Sequence, residues 1–343
     1  MRVFVTGGTG FVGGAVVRHL LQNGFDVVAL ARPSADFRQL HGLPVNLIEG
    51  DLSTIGLMRK AMQGCDWVFH VAAVYAFWGY TWEQFYESNV QGTRNVLTAA
   101  MDAGIQRVVY TSSIAVLGPP RTGETADEST LTHYEDLVGS YKRSKFQAEG
   151  VAQEYARRGL PVVIVNPSAP VGRADWKPTA TGKVIVAYLN GKMPAYVESH
   201  QNMVDVEDVA AGHLLAAQKG VVGERYILGG ENMTLKRYLD ILSEVSGLAP
   251  VSRRIPYHVA LAWSYIDVLL AKLSAVFRPV LRPVLRKGYF PMATPDAVRI
   301  GKLHSYYDSS KAQRVLGYSP HSVKAALHTA VEWYRANGYA PKK

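Results

Sequence analysis

Tyr141 and Lys145 stand four residues apart in a stretch patterned as a helix, so a phenol and an ammonium share one helical face. An unperturbed tyrosine titrates near pH 10 and carries protons poorly at neutrality. A cation beside it favours the phenolate and moves it into a useful range for acid–base work. Ser113 closes a strand-like run, Arg107 to Thr111, and offers a hydroxyl to hold a substrate oxygen beside Tyr141. A Tyr-x-x-x-Lys pair alone is a common solvated helix pair. Its weight depends on what else the chain assembles.

The second chemical feature is Gly7-Gly8-Thr9-Gly10-Phe11-Val12-Gly13. It follows a strand pattern, Arg2 to Thr6, and opens a helix pattern, Phe11 to Asn23, that Gly24 stops. Strand, glycine loop and helix start form the context of a dinucleotide fingerprint. Gly7 permits the tight turn, Gly10 admits phosphate oxygens to the backbone, and Gly13 lets helix and strand pack closely. The helix start then favours the anion. Thr9, Phe11 and Val12 complete this cofactor loop. The alternative is a glycine-rich turn with no ligand. With a nicotinamide in reach, Ser113, Tyr141 and Lys145 read as the catalytic group of a hydride-transfer enzyme. Arg32 follows the second strand, Asp26 to Ala31, where an NAD site usually carries an acid. A guanidinium there suits a 2′-phosphate. The expected cofactor is therefore NADP(H), with NAD(H) as the alternative. Arg38 is a candidate second contact. A solvated surface arginine is the other reading of Arg32.

These residues need a scaffold, and strand and helix patterns alternate through the first half. Val45 to Glu49, Asp66 to Val71, Arg107 to Thr111 and Val162 to Asn166 read as strands. The fold class is α/β, a Rossmann doubly wound parallel sheet with a smaller C-terminal substrate lobe. We expect residues 1–170 to form the NADP-binding domain, with 204–230 returning to it. Residues 171–203 and 231–343 are expected mainly in the substrate lobe and C-terminal helices. A single cysteine, Cys65, excludes an internal disulfide framework and suits a reducing, cytoplasmic compartment. The net charge of +9 admits nucleic acid, an anionic membrane surface or acidic ligands. No nucleic-acid motif or metal-ligand spacing supports a nucleic-acid partner or a metal site.

Further residues bear on the substrate. Tyr75, Phe77, Trp78, Tyr80 and Trp82 follow the fourth strand and would form an apolar pocket at the cleft mouth, with Tyr75, Phe77 and Trp78 as substrate candidates. The alternative is a lid packed on its own core. Val259 to Phe277 is apolar except for Asp267 and Lys272, and it is followed by Arg278, Arg282, Arg286 and Lys287 in a proline-spaced repeat. The prolines disfavour a continuous helix. The stretch is too interrupted to span a bilayer. It reads either as a substrate-lobe helix or as peripheral membrane contact through 259–287.

The motifs together resemble the extended short-chain dehydrogenase/reductase family. The matching residues are Thr6 to Gly13, Gly50-Asp51-Leu52, His70-Val71-Ala72-Ala73, Asn89 to Thr93, Thr111-Ser112-Ser113, Tyr141 with Lys145, and Asp308 to Pro320. The chain is most similar to the dihydroflavonol-reductase-like and 3β-hydroxysteroid-dehydrogenase-like branch. Val165 to Gly172, Gly191 to Tyr196 and Ile227 to Asn232 look like the bacterial hopanoid-associated sugar epimerase group. The resemblance implies that Asp51 and Leu52 flank the adenine. It also implies that Ala72 and Ala73 line the cofactor groove, that Asn89 supports the sheet and an active-site water network, and that Pro167 and Ser168 touch the nicotinamide end. It implies a homodimer through two helices. Where relatives often carry His, this chain has Asp205, which bears on the substrate lobe. The expected activity is an NADP(H)-dependent interconversion of carbonyl and secondary alcohol on a bulky, partly apolar small molecule. The alternative is an NAD(P)-dependent sugar epimerase using the same residues.

Overall fold

Val3 and Val5 of the first strand are buried in one layer of core, and Phe4 between them in the other. This alternation marks a strand covered on both faces, as parallel sheets require. The structure, a computed structural model, describes residues 1–76, 78–118, 120, 124–130, 132–281, 293–303 and 305–341. Seven strands form the large sheet: β1 (Arg2–Thr6), β2 (Asp26–Ala31), β3 (Val45–Glu49), β4 (Trp67–His70), β5 (Arg107–Thr111), β6 (Val162–Pro167) and β9 (Arg225–Leu228). Their order is β3-β2-β1-β4-β5-β6-β9, and every pairing is parallel. The order reverses between β1 and β4, which opens a crevice at their C-terminal ends.

Three helices, α1 (Phe11–Gln22), α7 (Val206–Lys219) and α11 (Ser310–Leu316), cover one face. The other face carries α2 (Ile55–Ala61), α4 (Gly92–Asp102) and α5 (Ser140–Arg157). Before α4 the chain runs through a short helix, α3 (Trp82–Phe85), and a π-helical turn at Tyr86–Gln91.

The second lobe has its own core. A three-stranded sheet of β7 (Ala169–Val171), β8 (His200–Asp205) and β10 (Glu231–Thr234) packs with α6 (Ala180–Leu189), α8 (Leu235–Ser246) and α12 (Val323–Ala336). Residues 204 and 205, expected in the returning segment, complete β8, where Val204 pairs with Pro170 and Asp205 with Val171, while the Val204 side chain is already buried in the core of the large sheet. The Asp205 side chain caps α7. The segment 310–318, expected with the lobe, buries Ala312, Leu316 and Tyr318 in the core of the large sheet.

The apolar C-terminal stretch forms α9 (Tyr257–Leu281), which packs against α10 (Pro295–Lys302). Among the described residues the helix runs through Pro279 to Leu281, and the rest of the proline-spaced repeat lies outside them. Arg282, Arg286 and Lys287 lie outside the described residues. Among the described residues, no helix is long and apolar enough to cross a membrane.

Candidate active site

The glycine loop fills the crevice between β1 and α1. Gly7 has φ of 77°, a left-handed conformation that side chains resist, and a Cβ there would lie 2.6 Å from the Ala72 amide nitrogen. A Cβ on Gly13 would lie 2.0 Å from the Gly7 carbonyl oxygen. Only hydrogen fits at either place. Gly10 begins α1 without a side-chain cap, so the first amides of the helix point into the crevice unclaimed by a side chain. Thr9, Phe11 and Val12 line the loop as partly buried residues. Across the switch point, the Ala72 amide donates to Thr6 Oγ1 at 3.2 Å, while Ala73 is exposed.

Arg32, Asp51 and Leu52 lie past the C-terminal ends of β2 and β3. Arg32 is exposed one residue past β2. The Ser53 hydroxyl and amide hold the Asp51 carboxyl below its ordinary range, and the charge of Arg32 adds to the effect. The Leu52 carbonyl accepts from Asn95 Nδ2 at 2.8 Å. Arg38 does not join them. Its Nε donates to both carboxylate oxygens of Asp36 at 2.9 and 3.1 Å, and its guanidinium lies 4.7 Å from the centre of the Trp176 ring. The second phosphate contact expected of Arg38 is therefore withdrawn, because Asp36 already uses its charge.

Ser113, Tyr141 and Lys145 come together beyond the C-terminal end of β5. Ser113 caps a short 3-10 turn, its Oγ accepting from the Ala115 amide at 3.1 Å. The same hydroxyl lies close enough to Tyr141 to favour its phenolate. The Tyr141 ring keeps some solvent contact, yet its hydroxyl is closely surrounded, and burial pushes its pKa up to about 12 against the opposing effect of Ser113. Burial also pulls Lys145 down to about 7, partly offset by Glu149. The chain's own groups do not by themselves produce the downward shift expected for Tyr141. Desolvation penalises each charged form and outweighs what the partners return.

Lys145 is positioned by a residue that sequence reasoning missed. Its Nζ donates to the Tyr110 hydroxyl at 3.0 Å and to the Thr111 carbonyl at 2.7 Å. The Tyr110 hydroxyl in turn lies close to the Thr93 side chain. Thr93 Oγ1 lies 2.9 Å from His70 Nε2, and His70 Nδ1 lies 2.7 Å from Thr6 Oγ1. A buried polar chain thus runs from Lys145 to the residue that opens the glycine loop. Tyr110 was hidden in a strand otherwise read as core, and the only signal was a hydroxyl in a position where phenylalanine would pack as well.

Asn89 lies in the π-helical turn, a distortion frequent at functional sites. Its Oδ1 accepts from the Val74 amide at 2.7 Å, and its Nδ2 donates to the Val74 carbonyl at 3.1 Å and to Ser144 Oγ at 2.9 Å. Both amide hydrogens are engaged, so Asn89 ties the loop after β4 to α5 rather than offering a donor to water.

At the cleft mouth the Tyr75 ring meets Tyr141 edge-on, with centroids 4.8 Å apart and an interplanar angle of 76°. Trp78 is half-buried nearby in sequence, and Phe77 lies outside the described residues. Pro167 ends β6 and Ser168 follows. The Oγ atoms of Ser112 and Ser168, both buried, find no hydrogen-bond partner among the described residues. Such orphaned hydroxyls are rare unless a ligand claims them. An uncapped helix start, a glycine cradle closed to any side chain and these free hydroxyls together fit a dinucleotide. Among the described residues, no cluster of three His, Cys, Asp or Glu could hold a metal.

Residues 3–229 match the model of the NAD dependent epimerase/dehydratase family. A putative dihydroflavonol 4-reductase of Synechocystis sp. is 45% identical over 340 residues, covering 98% of this chain and 95% of that one. Sterol demethylase protein B of Methylococcus capsulatus is 34% identical over 342 residues, covering 98% and 99%. The crystal structure of gox2253 superposes with a TM-score of 0.84 at 38% identity, covering 99% of both chains. The chain therefore belongs to the NAD dependent epimerase/dehydratase family and is an NAD(P)-dependent enzyme of the extended short-chain dehydrogenase/reductase type, in its dihydroflavonol-reductase-like branch.

Proposed function

We propose that this enzyme interconverts a carbonyl and a secondary alcohol with NADP(H) on a bulky, partly apolar substrate. The observation that carries this reading is the approach of the Ser113 and Tyr141 hydroxyls to each other at the open end of the sheet, with Lys145 buried on the same helix as Tyr141. When bound, the nicotinamide supplies or takes the hydride. In reduction, Tyr141 gives its hydroxyl proton to the substrate oxygen, which becomes the alcohol. Ser113 donates to the same oxygen and holds the carbon in line. Burial keeps Tyr141 protonated, so the proton to be given is in place. Charged Lys145 spends two of its three N–H groups on Tyr110 and Thr111, and the third is the one to hold the nicotinamide ribose.

Arg32, exposed beside Asp51 at the adenine end, supports NADP(H) over NAD(H). Asp51, Leu52, Ala72 and Ala73 would line the groove between, with Pro167 and Ser168 at the nicotinamide end. The edge-on Tyr75, with Trp78, supports an apolar substrate. A sterol demethylase protein among the relatives accords with that class. The half-buried Cys65 thiol suits a cytoplasmic setting, where NADP(H) is abundant.

Epimerisation of a sugar nucleotide is the second reading, favoured by the family description. Turnover separates the two. A reductase oxidises one NADPH for every carbonyl reduced, seen as loss of nicotinamide absorbance. Conversion of a sugar nucleotide without any absorbance change would replace the reductase reading.

A further inference from the structure

The helix α9 is amphipathic the wrong way round. Ser264, Asp267 and Ala271, at helical spacing, form its buried side. Asp267 has no exposed surface, and its Oδ2 accepts from the Ala293 amide at 3.0 Å. The opposite side shows solvent Val259, Trp263, Ile266, Leu269, Leu270 and Leu273, with Trp263 and Leu269 each 55% exposed. A surface helix normally buries its large apolar residues and exposes its polar ones. A continuous row of large side chains left in water marks an interaction surface.

The charges around the helix indicate what covers it. Arg253 and Arg254 precede it, Lys272 is exposed on it, and Arg299 and Lys302 are exposed on α10, which packs against it. Of the acids in 251–281 and 293–303, Asp267 is buried and Asp296 is paired with Arg299 at 3.5 Å. By sequence, residues 282–287 add Arg282, Arg286 and Lys287 with no acid. Two copies meeting through this face would bring these cations together. An anionic bilayer would oppose them with phosphates while its acyl boundary received the leucines and the indole.

We propose that the exposed face of α9 docks the enzyme on an anionic lipid surface. The axis lies along the bilayer plane, with Trp263 and Leu269 inserted at the headgroup–acyl boundary. The neighbouring helix α10, which packs against α9, reaches the start of the catalytic helix. Asp296 of α10 is 3.5 Å from where a Cβ on Gly139 would sit, and Gly139 immediately precedes α5.

The test does not depend on activity. The full chain is sedimented with phosphatidylcholine vesicles, alone and containing phosphatidylglycerol, beside a Trp263→Glu/Leu269→Glu double variant. Expected is pelleting with the anionic vesicles that weakens as salt rises, and at least about a tenfold loss of partitioning in the variant. Sedimentation velocity is expected to give the same oligomeric state for both. In the unaltered chain, lipids brominated on the acyl chain should quench tryptophan fluorescence, and Trp263→Phe should remove most of that quenching. Absence of pelleting, pelleting indifferent to lipid charge, or quenching indifferent to Trp263→Phe would overturn the proposal. A double variant that converts a dimer to a monomer would assign the face to a second copy instead.

Discussion

Substitution of Gly13 by alanine tests the cofactor cradle at its tightest point. The new Cβ would lie 2.0 Å from the Gly7 carbonyl oxygen, 2.6 Å from its carbon and 3.1 Å from the Gly8 nitrogen. All three are backbone atoms, so no side chain can rotate away. A carbon–oxygen contact relaxes at about 3.3 Å, so loop and helix start must separate by roughly 1.3 Å. Overpacking of this kind costs about 1–3 kcal/mol in folding stability. The same movement takes the α1 amides away from the pyrophosphate, and we expect NADPH affinity to fall by about tenfold or more. Gly24→Ala is the matched control. Gly24 also has a positive φ, 79°, but nothing lies within 4 Å of its Cβ position. It should lose about 1–2 kcal/mol from strain alone and bind NADPH as the parent does. Urea unfolding and NADPH titration by fluorescence give both quantities. Equal NADPH affinity in the parent and Gly13→Ala, in a protein that remains folded, would refute the assignment of this loop to the cofactor.

Two other substitutions test the two ends of the site. Arg32→Ala should weaken NADPH by about tenfold or more, the worth of a charge-assisted bond, and leave NADH nearly unchanged; equal losses in titrations of the two cofactors would remove the 2′-phosphate contact. Lys145 carries a sign-determined pH dependence. Its folded-state pKa lies near 7 against an ordinary 10.5, so between those values the unfolded chain holds a proton that the folded chain does not. Stability then rises with pH through that window, by up to about 1.4 kcal/mol per pH unit from this group. Lys145→Met should abolish that slope in urea unfolding of the cofactor-free chain from about pH 7 to about pH 10. Parallel curves for parent and variant would contradict it.

What could be read from the sequence was what local spacing encodes. The glycine loop is legible because its three steric requirements fall within seven consecutive residues. Tyr141 and Lys145 are legible because four residues make one helical turn. The central strands of the large sheet, buried on both faces, appear as continuous apolar runs. What stayed hidden depends on contacts between distant segments. Tyr110 meets Lys145 across 35 positions, and nothing near Tyr110 in sequence announces it. Arg38 looked available until Asp36, two residues away, was seen to claim it. The upward shift of Tyr141 follows from burial, which spacing does not report. The polarity of α9 is a lesson of the same kind. Its composition suggested either a buried helix or a membrane helix, and only the packing of Asp267 and Ser264 inward shows which residues are left outside.

The central claim is that the Tyr141 hydroxyl delivers the proton. Tyr141→Phe keeps the ring against Tyr75 and removes one oxygen, so cofactor binding and fold should be preserved. The account predicts that NADPH affinity stays within about twofold of the parent while kcat for carbonyl reduction falls by about 10²–10⁴-fold, the usual contribution of a positioned general acid. A variant that reduces the substrate at the parent's rate, with the parent's pH profile, would contradict it.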